Sequence, residues 1–148
     1  MNINIQGVNI TLTKEQLEQI DNQVKKSKLK TIDDINSYED GCEILQRQPD
    51  YRLQSINGKY FAEHVLETLI EAVNFIDNSY KKWIPDFTNN NEYKYIPYFN
   101  KIGSGWLLCA VHYFLSDASG SVGLYYKNER TANIISKKFL STYNIYLG

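Results

Sequence analysis

Tyr93-Lys94-Tyr95-Ile96-Pro97-Tyr98-Phe99, then Gly103-Ser104-Gly105, then the run from Trp106 to Leu115, is the stretch that decides the fold class. Strand-forming residues on both sides of a glycine-containing turn predict two antiparallel strands. Asp117-Ala118-Ser119-Gly120 and the segment from Val122 to Lys127 extend the pattern to a third strand, an antiparallel meander. In the middle strand both faces are largely apolar: Trp106, Leu108, Ala110, His112 and Phe114 alternate with Leu107, Cys109, Val111, Tyr113 and Leu115. That pattern predicts a strand covered on both sides. Pro97 cannot donate to a ladder, so the first strand is expected at an edge or to carry a bulge.

Helices flank this sheet. Upstream, Phe61, Val65, Leu69, Val73, Ile76 and Tyr80 recur at three- and four-residue spacing, predicting a long helix over 59–81. Its other side carries Glu63, Glu67 and Glu71, a like-charge ladder that should face water or a basic surface. Ser37-Tyr38-Glu39-Asp40 starts a shorter helix that Pro49 closes. Downstream, Asn128 caps a final helix with Ala132, Ile135, Phe139, Tyr143 and Tyr146 on its core stripe. At the front, Ile3, Ile5, Val8 and Ile10 alternate with polar residues as extended structure, and Thr13-Lys14-Glu15-Gln16 is a capping box opening a helix that ends in the basic run 25–30. The expected fold is α+β: an antiparallel sheet of three or more strands packed by a long central helix and a C-terminal helix, with a short N-terminal β segment and helix. A single domain is expected over 1–148, with 1–30 as an accessory or oligomerisation element and 37–148 as the core.

Composition narrows the function classes. The chain has 148 residues, 43% hydrophobic and 22% charged, which suits one globular domain and neither a disordered tail nor a membrane span. The opening Met-Asn-Ile-Asn-Ile-Gln has no basic region or apolar core, so no secretory signal is expected. Only Cys42 and Cys109 occur, far apart, which fits a reducing cytoplasm. Charge is uneven. Residues 1–79 hold 8 Lys and Arg against 13 Asp and Glu, while residues 80–148 hold 8 against 4. Aromatics form 14% of the chain, with 12 tyrosines, and they concentrate in the basic half.

Catalytic templates do not assemble. Glu63-His64 with Glu67 places carboxylates and one imidazole on a helix without a second ligand set, so no metal site is assigned. Gly103-Ser104-Gly105 lacks the third glycine of a dinucleotide loop, and Gly120-Ser121-Val122-Gly123 is not a nucleophile elbow. Cys109 and His112, three apart on one strand, are expected on opposite faces. No catalytic residue and no cofactor follows, although a small hydrolase or metal-dependent enzyme stays among the alternatives. The basic aromatic half is the candidate surface. Tyr93, Lys94, Tyr95, Tyr98, Trp106, Tyr126, Lys127 and Arg130 combine rings that stack bases with cations that hold phosphates, and they are the expected ligand-binding residues.

Ser37-Tyr38-Glu39-Asp40-Gly41-Cys42-Glu43-Ile44-Leu45, Trp83-Ile84-Pro85-Asp86-Phe87 and the Tyr93–Phe99 run together resemble small uncharacterised proteins of tailed bacteriophages, including those of gut bacteria. Gly120 to Arg130, with Ala132 and Lys138-Phe139-Leu140, is similar to the same group, and the likeness covers about residues 37–143. That group usually carries an Arg-Leu-Cys-Phe-Lys-like run after Gly-Ser. Here Val122-Gly123-Leu124-Tyr125-Tyr126-Lys127 stands instead, so any role of that arginine does not transfer. The resemblance implies a phage-encoded protein acting in a host cytoplasm. The expected function is a non-catalytic phage accessory protein that binds a nucleotide-like ligand or single-stranded nucleic acid, sequestering a host defence signal. The alternative is a protein–protein module for self-assembly or inhibition of a host protein. Expected partners are therefore a nucleotide-like small molecule or single strand, a second copy, or a host protein, and no membrane.

Overall fold

The computed structural model describes residues 2–5, 8–11, 13–19, 30–115 and 124–148. The chain divides into two units, 1–30 and 31–148. In the first, β1 (Asn2–Ile5) pairs antiparallel with β2 (Val8–Thr11), from Asn2↔Thr11 to Ile5↔Val8. Residues 14–19 form α1, opened by the expected capping box: the Gln16 amide donates to Thr13 Oγ1 at 3.2 Å and the Thr13 amide to Gln16 Oε1 at 3.0 Å. Most of the basic run expected at the end of this helix, 25–29, lies outside the described residues.

The second unit starts with a 3₁₀ turn (Ile32–Asp34) and α2 (Tyr38–Ile44), where Ser37 Oγ accepts from the Asp40 amide at 3.2 Å. The long helix α3 runs Gly58–Asp77, and Asn57 caps it by accepting from the amides of Lys59 and Tyr60. Leu66, Leu69 and Val73 are wholly buried on its apolar stripe. At Gly41 a Cβ would stand 3.2 Å from Leu69 Cδ2, so glycine lets α2 lie close on α3. α4 (Glu129–Lys138) begins at Asn128, whose side chain accepts from the Thr131 amide at 3.2 Å. The single C-terminal helix expected from the stripe is broken at Phe139 (φ −106°, ψ 30°), and α5 (Leu140–Leu147) continues from there. Phe139 and Tyr143 keep their places in the core across that break.

β3 (Lys94–Ile102) and β4 (Gly105–Phe114) form an antiparallel ribbon, in register from Lys94↔Phe114 to Ile102↔Gly105 around a left-handed Gly103. The register shifts after Tyr98↔Ala110 to Phe99↔Leu108, leaving Cys109 as the extra residue of a bulge. The expected meander takes a different form. β3, rather than β4, is the inner strand, because on its other side Tyr95 exchanges both backbone hydrogen bonds with Tyr126, each 2.8 Å. The bulge expected for the Pro97 strand lies instead on its partner β4, and at Pro97 itself β3 pairs only with β4 among the described residues. Of the proposed third strand, 122–123 lie outside the described residues, and 124–127 contribute a single bridge. A side chain holds the edge of this segment that faces away from β3. Asn74, buried in α3, donates from Nδ2 to the Tyr125 carbonyl at 2.7 Å and accepts at Oδ1 from the Lys127 amide at 2.8 Å. Its amide stands where a further strand would pair and closes the ladder there.

Candidate functional site

The two faces of the ribbon differ sharply. Tyr95, Phe99 and Val111 pack toward the core, with the Phe99 and Tyr143 rings 4.6 Å apart. On the opposite face lie Ile96, Tyr98, Asn100 and Ile102 from β3, with Leu107, Ala110 and His112 from β4. Tyr98, Ile102 and Leu107 are 54%, 62% and 48% exposed. β4 is therefore not covered on both sides as its apolar pattern predicts; none of its residues is fully buried. Except for Lys94, which ends the row with its ammonium turned inward, this face carries no Lys, Arg, Asp or Glu. The bulge also brings Cys109 to the face of His112, because the Asn100 amide reaches Cys109 Sγ at 3.3 Å. Cys109 and His112 are three residues apart along β4, about 10 Å, so the thiol and imidazole do not meet.

The eight expected ligand-binding residues do not share one surface. Lys94 and Tyr126 are both wholly buried. Lys94 Nζ donates to the carbonyls of Leu115 at 2.7 Å, Glu92 at 2.9 Å and Asn89 at 3.2 Å, and pairs with the Glu92 carboxylate at 3.4 Å. An ammonium so enclosed must be matched by oxygens from its own chain, and none of it reaches outside. Tyr126 Oη meets Tyr143 Oη at 2.9 Å inside the core. Burial pushes the Tyr143 hydroxyl up to about 12 and raises Tyr126 well above the usual tyrosine range. Tyr95 and Trp106 are half-buried on the core side of the ribbon. Tyr93 and Tyr98 are exposed, but Tyr98 looks out from the opposite face, beside His112 at 5.2 Å between rings. Arg130 is exposed on the first turn of α4, and Lys127 lies with its ammonium 5.7 Å from the centre of the Trp83 ring.

Trp83 leads to a second feature that the sequence reading left unused. Its indole N–H donates to Glu92 Oε2 at 3.2 Å, while Glu92 Oε1 accepts from the Asp86 amide at 2.8 Å. Burial alone would raise the Glu92 carboxyl, yet the Asp86 amide, the Trp83 indole and Lys94 hold it below its usual range. Trp83, Phe75, Leu45, Arg47, Glu71 and Lys82 are among the lining of a cavity of about 270 Å³. Across its mouth Arg47 grips Glu71 in a two-pronged pair, 2.6 and 2.7 Å. The acidic ladder of α3 therefore meets a basic side chain at Glu71. Nearby, His64 is engaged by Tyr38 Oη at 2.9 Å, and that hydroxyl also accepts from the Asp50 amide at 3.1 Å. Among the described residues no group of three or more His, Cys, Asp or Glu side chains is placed to hold a metal ion, and no helix is long and apolar enough to cross a membrane.

Comparison with protein-family models, with curated proteins and with solved structures yields no match for this chain.

Proposed function

We propose that the protein is an interaction module that pairs with a second copy of itself through the outer face of the β3–β4 ribbon. The observation that carries this reading is the uncharged, apolar outer row: Tyr98, Ile102 and Leu107 stand exposed beside Ile96 and Ala110. Exposed apolar surface gathered on one face favours contact with other apolar surface. A single strand of nucleic acid needs rings and cations together. On this face the rings stand without cations, which favours the protein–protein alternative over nucleic acid. Between two copies, an uncharged face meets its own image without like-charge repulsion, whereas a charged one does not. The ribbon is about 30 Å long and two strands wide, short of the roughly 800 Å² per partner of a stable interface, so a weak, concentration-dependent dimer is expected. If the protein is phage-encoded, as its resemblance implies, such pairing would serve assembly in the host.

Sedimentation velocity over a concentration series tests this. A dimer that grows with concentration and disappears in Leu107→Glu and Tyr98→Glu, with circular dichroism unchanged, is the expected result. A monomer at every concentration, or a dimer indifferent to both changes, overturns it.

A further inference from the structure

We infer that the cavity between the ends of α2 and α3 is a binding site for a small planar ring bearing a phosphate-type anion, the chemistry of a nucleoside monophosphate. Its place is separate from the ribbon face, and its argument stands apart from self-association.

Two turns build the cavity. After α2 the chain passes through Gln46 at φ 55°, and the Arg47 amide folds back to the Cys42 carbonyl at 2.8 Å. After α3 it passes through Ser79 at φ 56° and Tyr80 at φ 58°, and the Tyr80 amide returns to the Phe75 carbonyl at 2.8 Å. These are the three non-glycine residues with left-handed backbone among the described residues, and all three lie in the turns that deliver the cavity walls. Side chains avoid this region, and residues held there concentrate where a particular geometry is needed. The second turn is locked further: Asn78 Nδ2 donates to the carbonyls of both Lys81 and Lys82 at 3.2 Å. Chain reversal at 79–80 is what lays Lys82 and Trp83 alongside Phe75.

The resulting walls suit a flat ring. Trp83 and Phe75 supply aromatic surface, Ile44 and Leu45 aliphatic surface. Trp83 is held in place by Glu92, which is itself pinned by the Asp86 amide and the Lys94 ammonium. A ring stacking on it meets a platform already ordered, which lowers the entropic cost of binding. The polar lining supplies the sign of the ligand's charge. Arg47 is matched by Glu71, whereas Lys82, also in the lining, has no ion pair among the described residues. Two cations against one carboxylate leave the cavity lining with one unmatched positive charge, that of Lys82. An exposed surplus of this sign beside an aromatic wall attracts an anion. The volume, about 270 Å³, lies just below the usual range of roughly 300–1,000 Å³ for ligand pockets, which limits the occupant to a mononucleotide or smaller.

Isothermal titration of the full chain with adenosine monophosphate, adenosine and inorganic phosphate, with Trp fluorescence in parallel, tests the site. Saturable binding of the monophosphate is expected, with adenosine and phosphate each at least about tenfold weaker. Lys82→Ala, an exposed change that leaves the core untouched, should weaken the monophosphate about tenfold and reduce the salt dependence, while Lys101→Ala on the ribbon should change nothing. Trp83→Phe keeps an apolar ring and should bind more weakly without the fluorescence change. Absence of saturable binding overturns the proposal. So does equal affinity for adenosine, which removes the anion requirement, or equal affinity for phosphate, which removes the ring. Indifference to Lys82→Ala in a protein that still binds places the ligand elsewhere and overturns it as well.

Discussion

Asn144 and Trp106 are joined in both directions: the Trp106 amide donates to Asn144 Oδ1 at 2.7 Å, and Asn144 Nδ2 donates to the Trp106 carbonyl at 3.0 Å. A helix side chain thus pairs with β4 as a neighbouring strand would. Asn74 does the same to the segment around Tyr126. Two asparagine amides, one from α5 and one from α3, border the small sheet on its two sides. An unpaired strand edge is a template for further strands, and these amides blunt it at two points.

Their energetic weights should differ because their burial does. Asn74 is buried, so Asn74→Ala removes two interior bonds, to the Tyr125 carbonyl and the Lys127 amide, and should cost roughly 2–5 kcal/mol. Asn144 is half-exposed, so water replaces much of what Asn144→Ala removes, and the cost should be about 1 kcal/mol. Urea denaturation of both variants checks the order; equal losses would refute it.

Lys94 predicts a large loss from removing a charge. Lys94→Met fits the space but leaves three carbonyls and the Glu92 carboxylate without their cation. Breaking a buried pair by deleting one partner costs roughly 3–5 kcal/mol, and the chemical denaturation midpoint should fall accordingly. Since Glu92 also holds the Trp83 indole, the native fluorescence spectrum should shift to the red as that ring loosens.

The surface pair of Arg47 and Glu71 should behave in the opposite way. Its side chains are 51% and 34% exposed, and solvent screens much of the attraction despite the two-pronged geometry. Glu71→Gln should therefore cost under about 1 kcal/mol in the same urea assay. A loss comparable to that of Lys94→Met would show the pair to be structural.

Stability should fall in alkali. Burial keeps Tyr143 protonated up to about 12, and Tyr126 is raised as well, whereas an unfolded tyrosine ionises near 10. The folded chain therefore holds these protons longer than the unfolded one. Their contribution is complete below about pH 10 and is lost as pH climbs toward 12, amounting to roughly 2–3 kcal/mol for Tyr143. Thermal melting from pH 8 to 12 should show that decline. In Tyr143→Phe the decline should be shallower, at the expense of about 1 kcal/mol at neutral pH for the lost bond to Tyr126.

Local signals in the chain were enough for the elements whose causes are local. Ser37, Asn128 and the Thr13–Gln16 box mark helix starts because a cap and its amides lie within three residues of each other. The stripe from Phe61 to Ile76 specifies α3 because helical periodicity is a property of neighbouring residues. Gly103 between two strand-forming runs is sufficient for the ribbon. What needed the tertiary structure was every question of who meets whom across long separations. Asn74 reaches 51 and 53 residues along the chain to close the sheet, and the sequence presents it only as a polar interruption in an apolar helix. Lys94 and Tyr126 looked like surface chemistry because a lysine among tyrosines is compatible with either environment. Only the convergence of three backbone carbonyls on one ammonium, and of one hydroxyl on another, decided that they are interior. Burial is a sum over distant neighbours, and no window of the sequence contains those neighbours.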